Sequence, residues 1–464
     1  MSERSFDVVV VGAGPAGEVA AGRLADGGLS VAIVEPHLIG GECSFYACMP
    51  SKALLRPAEV LAEARRVPGA AEAVDGGVDA EVALARRDEV IHGRDDSVMV
   101  PWLEDRGIEI LRGDGRLDGP RRVRVGGDVL VARRAVVVAT GSDAAIPAID
   151  GLRDARPWTN REATTASEPP ARLAVLGGGV SGVELAHAWR TLGSQVTVLE
   201  RGDRVLDREE PFAGEQVADS LRAHGVDVRT GVQLQDVRVI SPDGDRELLL
   251  EIDGAPSLAV DELLVAAGRR PRTADIGLDS VGLEPGNPIA VDERMRADGV
   301  DGDWLFAVGD VNGRAPLTHM GKYQARGPRV AADVILGRDA AAIVGGMLSP
   351  RVIFTDPQVA AVGHTLASAQ EAGLDVRAVD VDTEANAGGS FVGKGAAGTC
   401  RIVVDENRRT IVGATFTGVE VAESLHAATI AVVAEVPLDR LWHAVPSFPT
   451  RSELWLKLLE EYGL

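Results

Sequence analysis

The sequence predicts an α/β fold in which two similar strand–turn–helix–strand units are followed by a separate α+β region. Three observations lead to this prediction. Residues 8–11 and 173–176 are short apolar runs that pass at once into a glycine-rich turn and a helix-forming stretch. Several later apolar runs also end in glycine, and this pattern stops near Leu348. Buried strands that alternate with helices are typical of a parallel sheet.

The first unit begins with four consecutive valines, residues 8–11, and continues into a turn with Gly12, Gly14 and Gly17. A second apolar strand ends in Glu35, 23 residues after the first of these glycines. In this context the Gly-x-Gly-x-x-Gly pattern predicts a dinucleotide site, because glycines let backbone N–H groups approach a pyrophosphate at a helix N-terminus. Glu35 can accept hydrogen bonds from a ribose.

The second unit repeats this arrangement from residue 173. Its turn contains Gly177, Gly179 and Gly182, and its second strand ends in Glu200. Two such units predict two dinucleotides. An acid at this place favours a free ribose 2′-hydroxyl and therefore NAD. Two arginines follow closely, however, and could serve the 2′-phosphate of NADP.

Three further segments, residues 135–141, 263–271 and 305–310, each read as a buried strand that ends in glycine. Glycine at such a strand end indicates the close approach of a ligand or of another backbone. From about Leu348 the sequence instead shows mixed strands and a long helix near residues 421–433. This change predicts a third domain of α+β type.

Two of the three cysteines, Cys43 and Cys48, are five positions apart. In a regular helix the rise alone would separate them by about 7.5 Å, so a disulfide would need a distorted turn. Pro50 gives a reason for one and suits the opening of a helix over about 51–66. The pair can be a redox centre or two buried small hydrophobes, and the spacing favours neither. The third cysteine, Cys400, is far away in sequence and nothing near the pair completes a four-ligand zinc set, so metal binding is the weaker interpretation.

Composition narrows the function classes. The 464 residues predict two to four domains, and 45% hydrophobic content allows large cores. A net charge of −22 argues against nucleic-acid and anionic-membrane partners. Because the N-terminus lacks the pattern of a signal peptide and no apolar run approaches bilayer length, we expect a cytoplasmic protein. In that reducing compartment a close cysteine pair is more often catalytic than structural.

The combined motifs resemble those of the flavoprotein disulfide reductases, which include dihydrolipoamide dehydrogenase, glutathione reductase and mercuric reductase. The resemblance covers nearly the whole chain and rests on both fingerprints, the Cys-x₄-Cys-x-Pro-Ser-Lys segment, Ala-Thr-Gly at 139–141 and Gly-Asp at 309–310, in this order. It implies two Rossmann-like dinucleotide-binding domains, the second inserted in the first, plus a C-terminal α+β dimerisation domain. The implied boundaries are 1–147 and 271–346 for FAD, 148–270 for NAD or NADP, and 347–464 for a homodimer interface that completes each active site.

The resemblance also implies a role for individual residues. Cys48 corresponds to the thiol that faces the flavin and Cys43 to the thiol that exchanges with a small-molecule acceptor. Lys52 and Glu184 correspond to an ion pair beside the reactive end of the flavin, where Lys52 also contacts the cofactor. The other implied FAD contacts are Gly12, Gly14, Gly17, Glu35, Gly115, Thr140, Gly141, Asp310 and Thr318. His319 lies in the same loop as Thr318, and a structural role is an equally fair interpretation of this histidine. The implied nicotinamide contacts are Gly177, Gly179, Gly182, Glu200 and Gly268.

One segment departs from the family pattern. Family disulfide reductases end in a His-Pro-Thr-x-Ser-Glu type segment, whose histidine moves protons during thiol exchange while the glutamate orients it. Here the histidine is replaced by Phe448, although the acid, Glu453, remains. A phenyl ring carries no proton, so reduction of small disulfides should be impaired. His443 and His426 lie on other turns and read as surface or core residues.

Several functions therefore stay open. The first is an EC 1.8.1-like oxidoreductase that passes electrons from NAD(P)H through FAD and Cys43–Cys48 to a disulfide-type acceptor. The second is a reductase of quinones or other acceptors that uses the flavin directly. The third is a reductive cleavage like that of 2-ketopropyl coenzyme M oxidoreductase/carboxylase. That relative has phenylalanine at the place of Phe448, but it has histidine where this chain has Glu453. A flavin-binding redox sensor is disfavoured by the intact Lys52 and Glu184, and mercuric reductase by the missing C-terminal cysteine pair.

Overall fold

The structure, a computed structural model, describes residues 2–240, 246–326, 331–338, 345–396 and 398–464. Contacts between Cα atoms divide the chain into two compact units. What we call the first unit consists of Met1–Pro50, Asp88–Ala144 and Arg269–Gly346, and the second unit of Ser51–Arg87, Ala145–Gly268 and Met347–Leu464. Both units are discontinuous in sequence, which means that the chain passes between them several times.

Strands occur throughout the described residues. In chain order they are β1 (Glu3–Val11), β2 (Val31–Glu35), β3 (Glu109–Arg112), β4 (Gly115–Leu117), β5 (Arg122–Val125), β6 (Asp128–Val138), β7 (Ser142–Ala144), β8 (Arg172–Leu176), β9 (Gln195–Leu199), β10 (Asp227–Arg229), β11 (Leu234–Ile240), β12 (Glu247–Ile252), β13 (Leu258–Val260), β14 (Glu262–Val265), β15 (Arg269–Pro271), β16 (Leu305–Ala307), β17 (Arg351–Ile353), β18 (Gln358–Gly363), β19 (Val376–Asp382), β20 (Thr399–Asp405) and β21 (Thr410–Gly418).

The α-helices lie between these strands and at the C-terminus. In chain order they are α1 (Pro15–Asp26), α2 (Gly41–Phe45), α3 (Cys48–Arg66), α4 (Ala80–Val90), α5 (Val100–Glu104), α6 (Asn160–Thr165), α7 (Val180–Thr191), α8 (Pro211–Ala223), α9 (Thr318–Ala325), α10 (Ala331–Ile335), α11 (Leu366–Glu371), α12 (Val421–Val433), α13 (Leu438–Leu441) and α14 (Leu454–Tyr462).

The first unit is built on one mixed sheet in the order β3-β2-β1-β6-β5-β4, with β16 also paired to β6. Strands β3, β2, β1, β6 and β16 run parallel, whereas β4 and β5 form an antiparallel extension. Val8, Val9 and Val10 are fully buried, as expected of a central parallel strand covered on both faces. The carboxyl ends of β1 and β2 therefore meet at one sheet edge, where Glu35 and the first glycine turn lie.

The second unit contains three sheets. A parallel sheet in the order β10-β9-β8-β14 carries the second glycine turn, and a meander β11-β12-β13 follows it. The C-terminal region forms an antiparallel sheet in the order β17-β18-β21-β20-β19. Helix α12 occupies the predicted residues 421–433, and the predicted strand near residue 400 is β20. Together these elements confirm the mixed α/β fold.

The predicted start of one helix was wrong. The sequence placed a helix over about residues 51–66, but α3 already begins at Cys48 and contains Pro50 in its first turn. The physical reason is that the first-turn N–H groups of a helix have no intrahelical acceptor, so proline is tolerated there without the loss of a hydrogen bond. Cys48 is therefore the first residue of α3 rather than part of the irregular turn.

Candidate active site

The first glycine turn leaves space in front of helix α1. Gly12 has a φ of +103°, and a Cβ on it would lie 2.4 Å from the carbonyl oxygen of Ala139. A Cβ on Gly17 would lie 1.9 Å from the carbonyl oxygen of Gly12, so α1 packs directly on the turn. Gly14, the residue before α1, differs because an added Cβ would meet no atom of the described residues within 4 Å.

The second turn repeats this geometry at helix α7. Gly177 has a φ of +110°, and its Cβ would lie 2.6 Å from the carbonyl oxygen of Ala266. A Cβ on Gly182 would lie 1.9 Å from the oxygen of Gly177, whereas one on Gly179 would meet no described atom within 4 Å. Both turns thus present free space at a helix N-terminus, which is the environment that a pyrophosphate requires.

Each turn is closed by the acid at the end of the second strand. Glu35 accepts hydrogen bonds from the backbone N–H groups of Ala13 (2.8 Å) and His37 (2.9 Å). Glu200 accepts from Gly178 and Gly202, both at 2.6 Å. Two carboxylates separated by 165 residues therefore have the same hydrogen-bonding pattern. This pattern holds each acid beside its glycine turn, where a ribose would lie.

Alanine at Gly14 or Gly179 should leave the fold intact and weaken dinucleotide binding by about tenfold or more, because the new Cβ enters the space in front of the helix. Fluorescence titration with FAD for Gly14→Ala and with NADH for Gly179→Ala measures the effect. The matched controls Gly17→Ala and Gly182→Ala place a Cβ against a backbone oxygen, so they should lower the melting temperature instead. Unchanged affinities in the first two variants would contradict this interpretation of the turns.

The cysteine pair lies where two helices of the first part of the chain meet. Cys43 is in α2, the backbone leaves the helical conformation at Tyr46 (φ −136°) and Ala47, and Cys48 opens α3. The distorted turn that the spacing predicted between the two cysteines is thus confirmed. Both thiols are half-buried, and they are linked by a hydrogen bond. Two hydrogen-bonded thiols are suited to form and break a disulfide.

The electrostatics of this pair keep a proton on Cys43. Its pKa is raised above the usual thiol value by the hydrogen bond with Cys48, by burial and by the charge of Cys48, whereas Thr318 and Lys322 act in the opposite direction. Two interacting thiols titrate as one system that resists a second negative charge. Cys43, the predicted exchange thiol, is therefore poorly ionised unless another group removes its proton.

Thr318 is the first residue of helix α9, and its Oγ1 lies 3.3 Å from the Sγ of Cys48. The same hydroxyl is hydrogen-bonded to Cys43. Thr318 thus interacts with both thiols, and the family resemblance had implied that its loop faces the flavin near the disulfide. His319 is exposed.

The predicted ion pair between α3 and α7 is confirmed. Lys52 Nζ lies 2.6 Å from Oε2 of Glu184 and 4.9 Å from the ring centroid of Phe354. The other carboxylate oxygen, Oε1, accepts a hydrogen bond of 2.9 Å from the backbone N–H of Phe354. The Glu184 side chain is only 4% exposed. Removal of either partner would therefore leave a buried polar group that is only partly compensated.

Asp310 follows β16 in a short 3₁₀ turn. Its Oδ2 accepts a hydrogen bond of 2.6 Å from Ser142, which also accepts one of 2.7 Å from Arg269. Thr140 donates a hydrogen bond of 2.8 Å to the carbonyl oxygen of Arg272. Asp310 is therefore oriented by Ser142, and its remaining oxygen can accept a ligand hydroxyl.

The other predicted glycines have distinct surroundings. Gly141 and Gly268 adopt positive φ, +73° and +112°, in open space among the described residues. Gly115 is buried at the start of β4, where a Cβ would lie 2.9 Å from Val11 and 3.1 Å from Val34. This contact gives Gly115 a packing reason that the sequence did not reveal.

The C-terminal segment is a mostly exposed stretch of the second unit. Phe448 is 77% exposed and Val445 84%. Glu453 lies just before α14, and its Oε2 is buried without a hydrogen-bond partner among the described residues. His426 and His443 are exposed. Large apolar side chains on such a segment are typical of a protein–protein interface.

The sequence analysis missed an ion-pair network next to the thiol pair. Glu42, the residue before Cys43, lies 3.2 Å from Arg272 and 3.9 Å from Arg269, and Arg272 also lies 2.6 Å from Asp143. This network ties α2 to β15 and β7. Two features of the sequence could have indicated this network. Three arginines occur within four residues after Gly268, and an acid directly precedes a cysteine.

The two glycine turns with their acids and the close thiol pair define a dinucleotide-binding redox protein. The residues fit FAD at the first turn, since Gly14 leaves space at the start of α1 and Glu35 and Asp310 offer carboxylate oxygens.

Within the described ranges no three His, Cys, Asp or Glu side chains gather into a metal site. Among the described helices none is long and apolar enough to cross a bilayer.

Comparison with known proteins identifies the family. The model of the pyridine nucleotide-disulphide oxidoreductases matches residues 6–325, and the model of their dimerisation domain matches residues 349–458. The chain belongs to this family. Mercuric reductase of Shigella flexneri is 33% identical over 450 residues, which is 93% of this chain and 76% of that protein. Dihydrolipoyl dehydrogenase of Chlamydia muridarum is 31% identical over 463 residues, which is 97% and 95%.

Solved structures show the same architecture. The HOCl-induced flavoprotein disulfide reductase RclA from Escherichia coli superposes with a TM-score of 0.84 at 25% identity, covering 98% of this chain and 99% of that one. LpdA from Mycobacterium tuberculosis gives a TM-score of 0.85 at 23% identity, covering 99% and 100%, and this likeness shows the fold alone. The protein is thus an FAD- and NAD(P)H-dependent oxidoreductase of the disulfide reductase type, with a C-terminal dimerisation domain.

Proposed function

We propose that this protein transfers electrons from NAD(P)H through FAD to the Cys43–Cys48 pair, which reduces a small disulfide-type acceptor. The observation that carries the proposal is the thiol pair itself. The two thiols are hydrogen-bonded to each other at a helix interruption, and Thr318 contacts both sulfurs. Bound FAD supplies the two electrons that regenerate the dithiol.

The chain's own residues then perform thiol exchange. The thiolate of Cys43 attacks one sulfur of the acceptor, so that a mixed disulfide forms and the first thiol leaves. The thiolate of Cys48 next attacks the Cys43 sulfur, which forms the Cys43–Cys48 disulfide and releases the second thiol. Thr318 donates a hydrogen bond to the sulfur that carries the charge. Lys52 and Glu184 provide a fixed ion pair for the electron-transfer step, as the resemblance implies.

Phe448 restricts the acceptor. Where a histidine would protonate the leaving thiol, the chain offers a phenyl ring, so the leaving group must depart as a stable thiolate. Thiols of low pKa leave faster in disulfide exchange. We therefore propose acceptors with acidic thiols, such as aryl disulfides, over unactivated alkyl disulfides.

The nicotinamide is proposed to be NAD. Both oxygens of Glu200 are held by backbone N–H groups, which keeps a negative charge beside the ribose and disfavours a 2′-phosphate. Arg201 is exposed and Arg204 is half-buried, and they are the residues through which NADP would be accepted. Steady-state rates with NADH and NADPH, and again in Glu200→Ala, decide the point.

A homodimer with shared active sites is proposed on the basis of the exposed C-terminal segment. Trp442, Val445 and Phe448 are large apolar side chains that stand exposed within seven residues. A partner subunit would cover them and bring Phe448 to the neighbouring site. A cytoplasmic location stays a prediction from the sequence.

A second candidate function is the direct reduction of quinones or other electron acceptors by the flavin. The observation that favours it is the exposed apolar surface at Phe448, which suits a flat apolar acceptor and provides no base for thiol exchange. RclA has been solved as a Cu(II) complex, so Cu(II) belongs among the acceptors to be tested.

The Phe448→His variant separates the two candidates. We expect it to raise turnover of an alkyl disulfide such as lipoamide by a factor on the order of 10² and to leave quinone turnover nearly unchanged, because general acid–base catalysis contributes about 10²–10⁴-fold. The measurement is anaerobic NADH oxidation with lipoamide, an aryl disulfide, a quinone or Cu(II). Trp442→His is the matched control, since it places a histidine elsewhere on the same segment.

The outcomes are distinct. Reduction of the aryl disulfide by the wild type, with a gain for lipoamide only in Phe448→His, supports thiol exchange. If neither protein reduces any disulfide while quinone turnover is fast in both, the thiol-exchange proposal fails and the second candidate replaces it.

A further inference from the structure

The ion-pair network beside the thiol pair has no part in the proposed function. It joins Glu42, the residue before Cys43, to Arg272 and Arg269. We propose that Glu42 and Arg272 are positioning residues for the sulfur of Cys43. By holding this sulfur next to Cys48, they favour closure of the disulfide over the dithiol. This inference rests on the proposed use of the two thiols as a redox pair.

The two thiols are carried by elements of very different length. Cys48 opens α3, which has 19 residues, whereas Cys43 lies in α2, which has only five. A helix of one turn has little stability of its own, because the first turn of a helix is costly to form. The backbone also leaves the helical conformation at Tyr46, directly after α2. The position of Cys43 therefore depends on what α2 contacts.

Glu42 provides such a contact through both of its carboxylate oxygens. Oε1 lies 3.2 Å from Arg272, and Oε2 lies 3.9 Å from Arg269. The Glu42 side chain is only 17% exposed, so these pairs are better shielded from water than a surface ion pair, which contributes little. Successive residues of a helix project about 100° apart. Glu42 can thus hold α2 while the thiol of Cys43 is hydrogen-bonded to Cys48.

Arg272 is itself fixed to the sheet of the first unit. Its backbone N–H donates a hydrogen bond of 2.9 Å to the carbonyl oxygen of Gly141, and its carbonyl oxygen accepts one of 2.8 Å from the Thr140 hydroxyl. Its guanidinium also lies 2.6 Å from Asp143. These contacts tie α2, through Glu42, to the chain that continues from the end of β6.

Arg269 is held in a similar way. It donates a hydrogen bond of 2.7 Å to the hydroxyl of Ser142 and one of 2.6 Å to the carbonyl oxygen of the same residue. The Ser142 hydroxyl in turn donates a hydrogen bond of 2.6 Å to Asp310. Both oxygens of Glu42 therefore face cations that have further contacts of their own, so the network can act as a fixed anchor for α2.

A fixed Cys43 raises the effective concentration of one thiol beside the other, which favours an intramolecular disulfide. Loss of the Glu42 anchor leaves Cys48 in its long helix but lets α2 sample more positions. The dithiol gains this conformational freedom, whereas the disulfide keeps the two sulfurs bonded. The equilibrium should therefore shift toward the dithiol, which makes the pair a stronger oxidant.

Equilibration with dithiothreitol tests the inference without a physiological acceptor. The FAD-loaded protein is incubated anaerobically at neutral pH with defined ratios of reduced to oxidised dithiothreitol, quenched with acid, alkylated and analysed by tandem mass spectrometry. The S–S bond between Cys43 and Cys48 forms as that of dithiothreitol breaks, and two electrons and two protons pass to dithiothreitol. We expect Glu42→Gln to lower the equilibrium constant for this closure about tenfold, which corresponds to a rise in potential of about 30 mV.

Arg272→Met should give a similar shift. The double variant Glu42→Gln/Arg272→Met should shift no further than either single variant, because both changes remove the same interaction. Asp118→Asn is the matched control, since it breaks a pair with Arg124 at 2.8 Å in the loop that joins β4 and β5 of the same unit. This control should leave the equilibrium unchanged. FAD content and melting temperature are measured for every variant, and either single variant is sufficient if the other does not fold.

The possible results have different meanings. A loss of disulfide stability in Glu42→Gln and Arg272→Met that does not add up in the double variant supports the inference. An unchanged equilibrium in the single variants, or shifts that are additive, overturn it, even if the wild type closes the disulfide and the proposed function holds. A wild type that forms no disulfide between Cys43 and Cys48 at any ratio would overturn the proposed function as well.

Discussion

Cys43→Ser and Cys48→Ser should each lower disulfide turnover by roughly three orders of magnitude or more, since removal of a nucleophile that acts as part of a catalytic unit has effects of that size. The two variants should differ in one respect. In Cys43→Ser the thiol beside the flavin remains and has no disulfide partner, so the long-wavelength absorption band of a thiolate next to an oxidised flavin should be present before reduction and should disappear on two-electron reduction. In Cys48→Ser we expect this band to be absent.

The third cysteine provides the control. Cys400 lies fully buried in β20, 3.4 Å from the hydroxyl of Thr383, and burial raises its pKa to about 12. A thiol of this kind is inert at neutral pH. Cys400→Ala should therefore keep disulfide turnover within about twofold of the wild type, because this change leaves the reacting groups untouched. Retention of the absorption band in Cys48→Ser would disprove the assignment of the flavin-facing thiol.

The second large effect is expected from Lys52→Met. This change leaves the Glu184 carboxylate, which is 4% exposed, with one hydrogen bond from Phe354 and no cation at 2.6 Å. Removing one partner of a buried ion pair costs about 3–5 kcal/mol. Because the Lys52 side chain is itself 35% exposed, water replaces part of the interaction and we expect about 3 kcal/mol, near the lower end. Denaturant unfolding of the FAD-loaded protein measures the loss.

A double variant identifies the cause of that loss. Lys52→Met combined with Glu184→Gln removes the buried charge but keeps an oxygen that can accept the hydrogen bond from Phe354. We therefore expect the double variant to recover at least half of the lost stability. Lys457→Met, which breaks an exposed pair with Glu460 at 2.9 Å, should cost less than about 0.5 kcal/mol. Equal losses in Lys52→Met and Lys457→Met would show that burial of Glu184 is not what makes the pair important.

These experiments separate the chemistry of the thiol pair from the choice of acceptor. The cysteine variants test whether electrons pass through sulfur, and Phe448→His tests which acceptors the missing base excludes. A protein that fails one test can still pass the others, because each readout depends on a different group.

Much of the fold and part of the site were predictable because the signals are local. A strand, a glycine turn and a helix are adjacent in sequence, so the two dinucleotide turns and their acids could be placed before the structure was known. Four glycines show the physical reason for the pattern, namely those at 12, 17, 177 and 182. A Cβ on any of them would lie too close to a backbone oxygen of its own unit, so no residue with a side chain fits there. The start of α3 was misplaced, since a proline in the first turn looks like a boundary in sequence.

The contacts across long sequence separations were of two kinds. The pairing of Lys52 with Glu184, 132 residues apart, could be expected only from the family resemblance. The ion pair of Glu42 with Arg272 had no precursor in the sequence analysis. Glutamate and lysine on amphipathic helices are usually solvated, so their residue types carry no signal.

Amino-acid order alone was sufficient for the α/β class and for the position of the two glycine turns, because backbone geometry imposes glycine and apolar runs at fixed spacings, whereas the redox interpretation of the cysteine pair came from the family resemblance. Tertiary packing decided which charged groups surround that pair. The fold brings Arg272 within 3.2 Å of Glu42, the residue before Cys43, although 230 residues separate them, and electrostatic interactions depend on distance in space rather than along the chain.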